Sequence, residues 1–180
     1  MLRRISNRGL HLLARFLPGS TSIRPFLHRL RGVKVGKDVF IGDDVYLENE
    51  HPDAVEIQDG VQISVRAMIL AHTRGSGKVI IEKDAFIGPN TVIVTSGDKT
   101  IRIGEGAVIG AGVVVTQDIP AHLFVACAPA VPVANARVPL TKAAKMDEFV
   151  RGLVPISRRP KVKEPEEAAV VSKPASSGRR

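Results

Sequence analysis

The sequence predicts an all-β architecture, a parallel β-helix of about four triangular coils with short helices at its two ends. Three observations predict it. From Val35 onward an aliphatic residue recurs every six positions, a small residue often follows it directly, and a compact residue stands four places after it. Neither the roughly 3.6-residue period of a helix nor the two-residue alternation of long strands fits these spacings.

The repeats fall into blocks of three: Val35, Ile41 and Leu47; Ile57, Ile63 and Ile69; Ile81, Ile87 and Ile93; Ile103, Ile109 and Val115. Six residues make one short strand and one tight turn, so three units close a coil of about eighteen residues. Each aliphatic side chain should point inward and stack on its equivalent one coil away, building a column of mostly Ile. A small residue follows at Gly36, Gly42, Ser64, Gly88, Gly104 and Gly110, and the glycines among them are expected to relieve turns where φ is positive. Compact residues such as Val39, Ala67, Ala85 and Thr91 should fill the corners, where bulk would clash. Successive blocks start at 35, 57, 81 and 103, further apart than eighteen residues. The surplus lies near 51–56, 73–80 and 97–102, which predicts three loops stacked along one edge. Function tends to sit on such a rim.

An open stack needs caps, because both ends expose strand edges. Residues 2–17 place Leu2, Ile5, Leu10, Leu13, Phe16 and Leu17 roughly on one helical face, with Arg3, Arg4, Arg8 and Arg15 interspersed. Pro18-Gly19 ends this segment, and a second short helix is expected over 22–31. Such a basic amphipathic arm can lie on an anionic membrane surface. Its commoner use is packing over the first coil or a neighbouring subunit. Arg15 interrupts the apolar run and no small-residue cleavage site follows, so the arm does not read as a secretory signal. The chain thus divides into a basic helical arm at 1–32, the β-helix at 33–134, an extension with a helix near 140–153 ending at 155, and a basic tail at 156–180. The tail, rich in Lys, Glu, Pro, Ser and Ala, reads as disordered.

Composition removes several function classes. With one Cys among 180 residues, a disulfide framework or a Cys-rich metal site is excluded. No apolar run approaches the ~20 residues of a membrane span. Seven aromatic residues, none of them Trp, are too few for a base-stacking platform. The net charge of +8 is unevenly spread: residues 1–37 carry nine basic and no acidic residues, residues 38–140 seven basic and thirteen acidic, and residues 141–180 ten basic and five acidic. An acidic body with basic arms is not the footprint of a nucleic-acid binder.

Five histidines are present. His11 and His28 lie in the arm, where solvated or partly packed side chains are expected. His122, after Pro120-Ala121 at the exit of the last coil, reads as structural. His51 and His72 open the first and second extra segments one coil apart, so both belong on the rim.

The hexads, the His-bearing stretch after Ile69, Ile87-Gly88-Pro89-Asn90 and the run from Ile109 to Pro120 together resemble the hexapeptide-repeat acyltransferases. The likeness is to the maltose, galactoside and colanic-acid-type O-acetyltransferases over about residues 33–134. The segment Val125 to Ala130 follows that pattern with two departures: Cys127 stands where Gly is usual, and Val131 where a basic residue is common. The resemblance implies a left-handed coil, a homotrimer and acetyl-CoA as acyl donor in the groove between adjacent β-helices. It also implies that His72 is the catalytic base. The chemistry is sound, since a sugar hydroxyl attacking a thioester needs a nearby base, and neutral imidazole suits that task near pH 7. Backbone groups around Ala111 and Gly112, with Thr116, would line the pantetheine arm, and Arg102 and Arg137 are candidates for the phosphates by charge. His51, Asn49 and Asp98 are candidate acceptor contacts. Glu48 and Glu50 share their corner and could meet sugar hydroxyls, and Asp98 could orient His72 or lie solvated. Cys127 reads as packed near the last coil rather than nucleophilic.

Three function classes follow: a CoA-dependent O-acyltransferase acting on a sugar or polysaccharide precursor, a γ-carbonic-anhydrase-like zinc enzyme, and a non-catalytic scaffold. The zinc class pairs histidines five residues apart, and no such pair occurs. The expectation is therefore a cytoplasmic acyltransferase needing no metal and no nucleic acid, with residues 1–31 able to contact the inner membrane face peripherally.

Overall fold

The structure, a computed structural model, describes residues 2–73, 75–128, 134–138 and 144–155, and it divides into two compact units, residues 1–128 and 129–180. The first unit is a parallel β-helix of about four coils, consistent with the left-handed class. With strands numbered in chain order, its first sheet holds β1 (Lys34–Val35), β4 (Val55–Ile57), β7 (Lys78–Ile81) and β10 (Thr100–Ile103). The second holds β2 (Phe40–Ile41), β5 (Gln62–Ile63), β8 (Phe86–Ile87), β11 (Val108–Ile109) and β13 (Phe124–Val125). The third holds β3 (Tyr46–Leu47), β6 (Met68–Thr73), β9 (Val92–Ser96) and β12 (Val114–Val115).

Strand registry matches the hexads position by position. Ile41, Ile63, Ile87, Ile109 and Val125 pair in succession, as do Val35, Ile57, Ile81 and Ile103 on one side and Leu47, Ile69, Ile93 and Val115 on the other. The Ile members of these columns are buried to within about one per cent or better, except at the margins of the stack. Burying an aliphatic side chain is worth ~1.5–3 kcal/mol, so the columns carry most of the fold's driving force. The compact corner residues, from Val39 to Val113, are buried as well.

The glycine reading needs correction. Gly36, Gly42, Gly88, Gly104 and Gly110 do not lie in the left-handed region. They are small because the next coil passes close by: a Cβ on Gly88 would stand 2.6 Å from the Ile109 carbonyl oxygen, and one on Gly104 2.4 Å from the Ala121 nitrogen. Positive φ falls three residues after the aliphatic instead, at Asp38, Asp44, Gly60, Arg66, Asp84, Asn90, Gly106 and Gly112. Short polar residues and Gly tolerate that conformation best.

The three surplus segments are only partly loops. The first forms a 3-10 turn, Pro52–Ala54, whereas β6 and β9 run on to Thr73 and Ser96 and β7 and β10 resume at Lys78 and Thr100. The strands continue because each finds backbone partners in the adjoining coil, as in the registry of Leu70 with Val94.

Two helices, α1 (Leu2–Phe16) and α2 (Ile23–Leu30), lie over the first coil. They meet it with polar groups. The Arg24 guanidinium donates to the carbonyls of Leu17 and Ile41 and to Asp43, Arg31 donates to the carbonyls of Leu47 and Glu48, and Arg15 donates to Asp44. The Ile41 and Asp44 N–H groups donate back to the carbonyls of Ser20 and Arg15. The bare edge of coil one is thereby satisfied. His11 and His28 are buried in this seam, not solvated, because the helices turn their polar sides toward the coil edge.

In the second unit β14 (Ala134–Ala136) pairs antiparallel with β15 (Leu153–Pro155), and α3 (Met146–Arg151) precedes β15. The helix is shorter than expected, and residues 139–143 and the tail 156–180 lie outside the described residues. Among the described residues no helix is long and apolar enough to cross a membrane.

Candidate active site

The site grows from the end of β6. Strand alternation buries Ile69 and Ala71 and turns Leu70 and His72 outward, leaving the His72 side chain 36% exposed. Its Nδ1 lies 2.5 Å from Oε2 of Glu48, a side chain with no exposed surface. Glu48 follows Leu47, which is in register with Ile69, so the pairing of β3 with β6 brings the carboxylate under the arm that carries His72.

Glu48 is fully engaged. Oε2 also accepts from the Ala71 N–H at 3.0 Å, and Oε1 accepts from the N–H groups of Glu50 at 2.8 Å and His51 at 3.2 Å. Burial alone would raise its carboxyl pKa; the His72 hydrogen bond and the Ala71, His51 and Glu50 donors outweigh burial and lower it. An ionised carboxylate only accepts, so Nδ1 of His72 carries the proton of this bond. In the neutral ring Nε2 then has the lone pair. A half-exposed imidazole held in that tautomer can take a proton from a hydroxyl brought alongside.

His51 is exposed, and its ring stands edge-on to that of His72 with centroids 5.8 Å apart. It lines a cleft of about 640 Å³ between the helical arm and the first surplus segment, with Ser6, Asn7, Arg31, Glu50 and Asp53 on the other walls. Asn49 turns toward the arm: its Oδ1 is 3.2 Å from Nδ1 of His11, and its carbonyl accepts from the Asn7 side chain.

Other expected residues are not gathered at His72. Asp98 accepts from the backbone N–H and hydroxyl of Ser76, both at 2.9 Å, ties the second surplus segment to the third and stays exposed; these bonds lower its pKa. Ala111 and Gly112 lie between β11 and β12, and Thr116 directly follows β12; all three are exposed. Arg102 faces Glu82 at 3.6 Å. Arg137 belongs to the second unit. Cys127 is exposed and its Sγ donates to the Gly112 carbonyl at 3.2 Å. Among the described residues no group of three or more His, Cys, Asp or Glu side chains is placed to hold a metal ion.

Sequence reasoning put Glu48 at this corner but not on His72. One signal was available: the residues that occupy its place in the next two coils are Leu70 and Val94, so an acid there is out of pattern.

Residues 78–117 match the family model described as the hexapeptide repeat of succinyl-transferase. The 2,3,4,5-tetrahydropyridine-2,6-dicarboxylate N-acetyltransferases of Staphylococcus aureus strains JH9 and USA300 are each 50% identical over 52 residues, which is 29% of this chain and 20% of the relative. The chain therefore matches about a fifth of the length of these curated relatives. A structure of soybean serine acetyltransferase apoenzyme superposes with a TM-score of 0.45 and 25% identity, covering 71% of this chain and 55% of that one. Over residues 78–117 the chain is thus similar to the hexapeptide repeats of acyltransferases.

Proposed function

We propose that the chain is a CoA-dependent acyltransferase that moves an acyl group, acetyl by preference, onto a hydroxyl of a sugar or polysaccharide precursor. The observation that carries this reading is the Glu48–His72 pair, a buried ionised carboxylate fixing the tautomer of a half-exposed imidazole. In the reaction Nε2 of His72 takes the acceptor hydroxyl proton as the oxygen attacks the thioester carbonyl. The tetrahedral oxyanion collapses and expels the CoA thiolate, which recovers the proton from the imidazolium. Glu48 stabilises the imidazolium between these events. No covalent enzyme intermediate is needed.

The cleft lined by His51, Asn7, Ser6, Glu50 and Asp53 suits a polyhydroxylated acceptor in size and in its mixture of donors and acceptors. Ala111, Gly112 and Thr116, exposed in the last coil, are the residues we assign to the pantetheine arm. A homotrimer is supported by the outer faces of the sheets. Phe40, Gln62, Phe86, Val108 and Phe124 form one registered ladder and Tyr46, Met68, Val92 and Val114 another, while the first sheet shows Lys34, Glu56, Ile80 and Arg102.

Calorimetric titration with acetyl-CoA, followed by transfer assays on His72→Ala and Glu48→Gln, tests the reading. Saturable binding near one coenzyme per chain is expected. His72→Ala should lose roughly 10²–10⁴-fold in turnover with coenzyme affinity intact. Glu48→Gln should lower kcat more than it raises KM. Near-normal turnover of His72→Ala would sink the assignment, and absence of coenzyme binding would favour a scaffold.

A further inference from the structure

Each helix of the arm leaves a stripe of large apolar side chains facing outward. On α1, His11 and Ala14 are buried against the coil, whereas Leu12, Leu13 and Phe16 face solvent, Phe16 at 68% exposure. On α2, Arg24, Leu27 and His28 are buried, while Ile23, Phe26 and Leu30 are outside, the last two at 59% and 60%. The spacings 12, 13, 16 and 23, 26, 30 are helical stripes, and the two helices pack on each other, so the stripes belong to one cap. Exposed apolar stripes of this kind mark an interaction surface. Residues 1–37 hold nine basic residues and no acid. Arg8, Arg15, Arg24 and Lys34 pair with Glu50, Asp44, Asp43 and Glu56 of the coils, while Arg29 and Lys37 are exposed and meet no acidic partner among the described residues.

We propose that this face docks on an anionic lipid bilayer, with Phe16, Phe26, Leu30 and their neighbours seated at the headgroup boundary and the flanking arginines paired with lipid phosphates. The pairing of an apolar stripe with an excess of positive charge, nine basic residues against four acidic partners, fits that surface. Arm-to-arm packing with a second copy would instead bring two such charges together. The inference does not use His72, and of the named residues seated in the bilayer Leu30 alone also lines the cleft assigned to the acceptor.

The experiment is co-sedimentation of the full chain with vesicles of phosphatidylcholine alone and of phosphatidylcholine with phosphatidylglycerol in a three-to-one ratio. The expected result is at least about tenfold more bound protein on the anionic vesicles, released at about 1 M salt, where the screening length falls to ~3 Å. A Phe16→Ser/Phe26→Ser double variant should lose most of this binding with its thermal midpoint and its solution mass by light scattering unchanged, both positions being exposed. Failure of the native chain to bind anionic vesicles, or equal binding to neutral ones, overturns the proposal. So does a fall in the solution mass of the double variant, which would assign the face to a second copy.

Discussion

The interior of the β-helix and the seam beneath the helical arm are both closed to solvent, yet they are built from opposite materials. The interior is a set of interchangeable aliphatic positions, each repeated in register one coil away. The seam holds Arg24, Arg31, His11, His28 and Glu48, every one present once and each with its own neighbours. Among the described residues, the ring nitrogens of His28 meet no hydrogen-bond partner, nor do Nε and NH1 of Arg31. A repeating core derives its stability from packing, whereas the seam spends some of it to seal an edge and to hold a carboxylate against His72.

Three changes would break or sharpen this contrast. The largest effect is expected in the interior. Ile63→Ala empties the middle of a column and should cost about 2–5 kcal/mol by denaturant titration. A loss below about 1 kcal/mol would mean that the coils collapse around the gap and the columns are not rigid.

Acid should come next, and it should act on the seam. Burial, then the nearby Arg31 charge, lowers the pKa of His11 to about 4 and that of His28 to about 3 from a usual 6.5. Below pH 6.5 the unfolded chain takes up protons that the folded seam resists. The stability held above that pH is therefore lost as pH falls from 6.5 toward 4, the share of His28 being on the order of 3 kcal/mol. Thermal melts of His28→Leu across this window should show a shallower decline than the native chain. An unchanged decline would locate the acid sensitivity elsewhere.

The smallest of the three is Arg31→Met. It strips the Leu47 and Glu48 carbonyls of a donor and should cost roughly 1–3 kcal/mol. Burial has already lowered the Arg31 pKa to about 10, so the guanidinium is an expensive group to hold there. A neutral or stabilising outcome would show that its desolvation cancels what its hydrogen bonds contribute.

The same contrast explains what could be read without coordinates. All twelve column positions, the corner residues and the placement of His51 and His72 on one rim followed from spacing, because a repeat states its own geometry several times over. The partner of His72 did not follow. Glu48 sits twenty-four residues away in sequence, and only the β3–β6 register puts it under the imidazole. The facing of α1 and α2 was hidden for a related reason. Helical periodicity reveals an apolar stripe but not the chemistry of the surface beneath it, and here that surface is a row of peptide groups calling for arginine. Glycine after the aliphatic was visible in sequence, but the cause, close passage of the next coil, was not.

The sealed first coil also gives the stack a direction. A solenoid with two bare ends can add a copy of itself, strand upon strand, and such addition has no closing geometry, so it runs on into filaments. Here the carbonyls of Ile41, Leu47 and Glu48 and the N–H groups of Ile41 and Asp44 are already taken by the arm. Head-to-tail polymerisation lacks one of its two mating edges, and removing the arm would restore it.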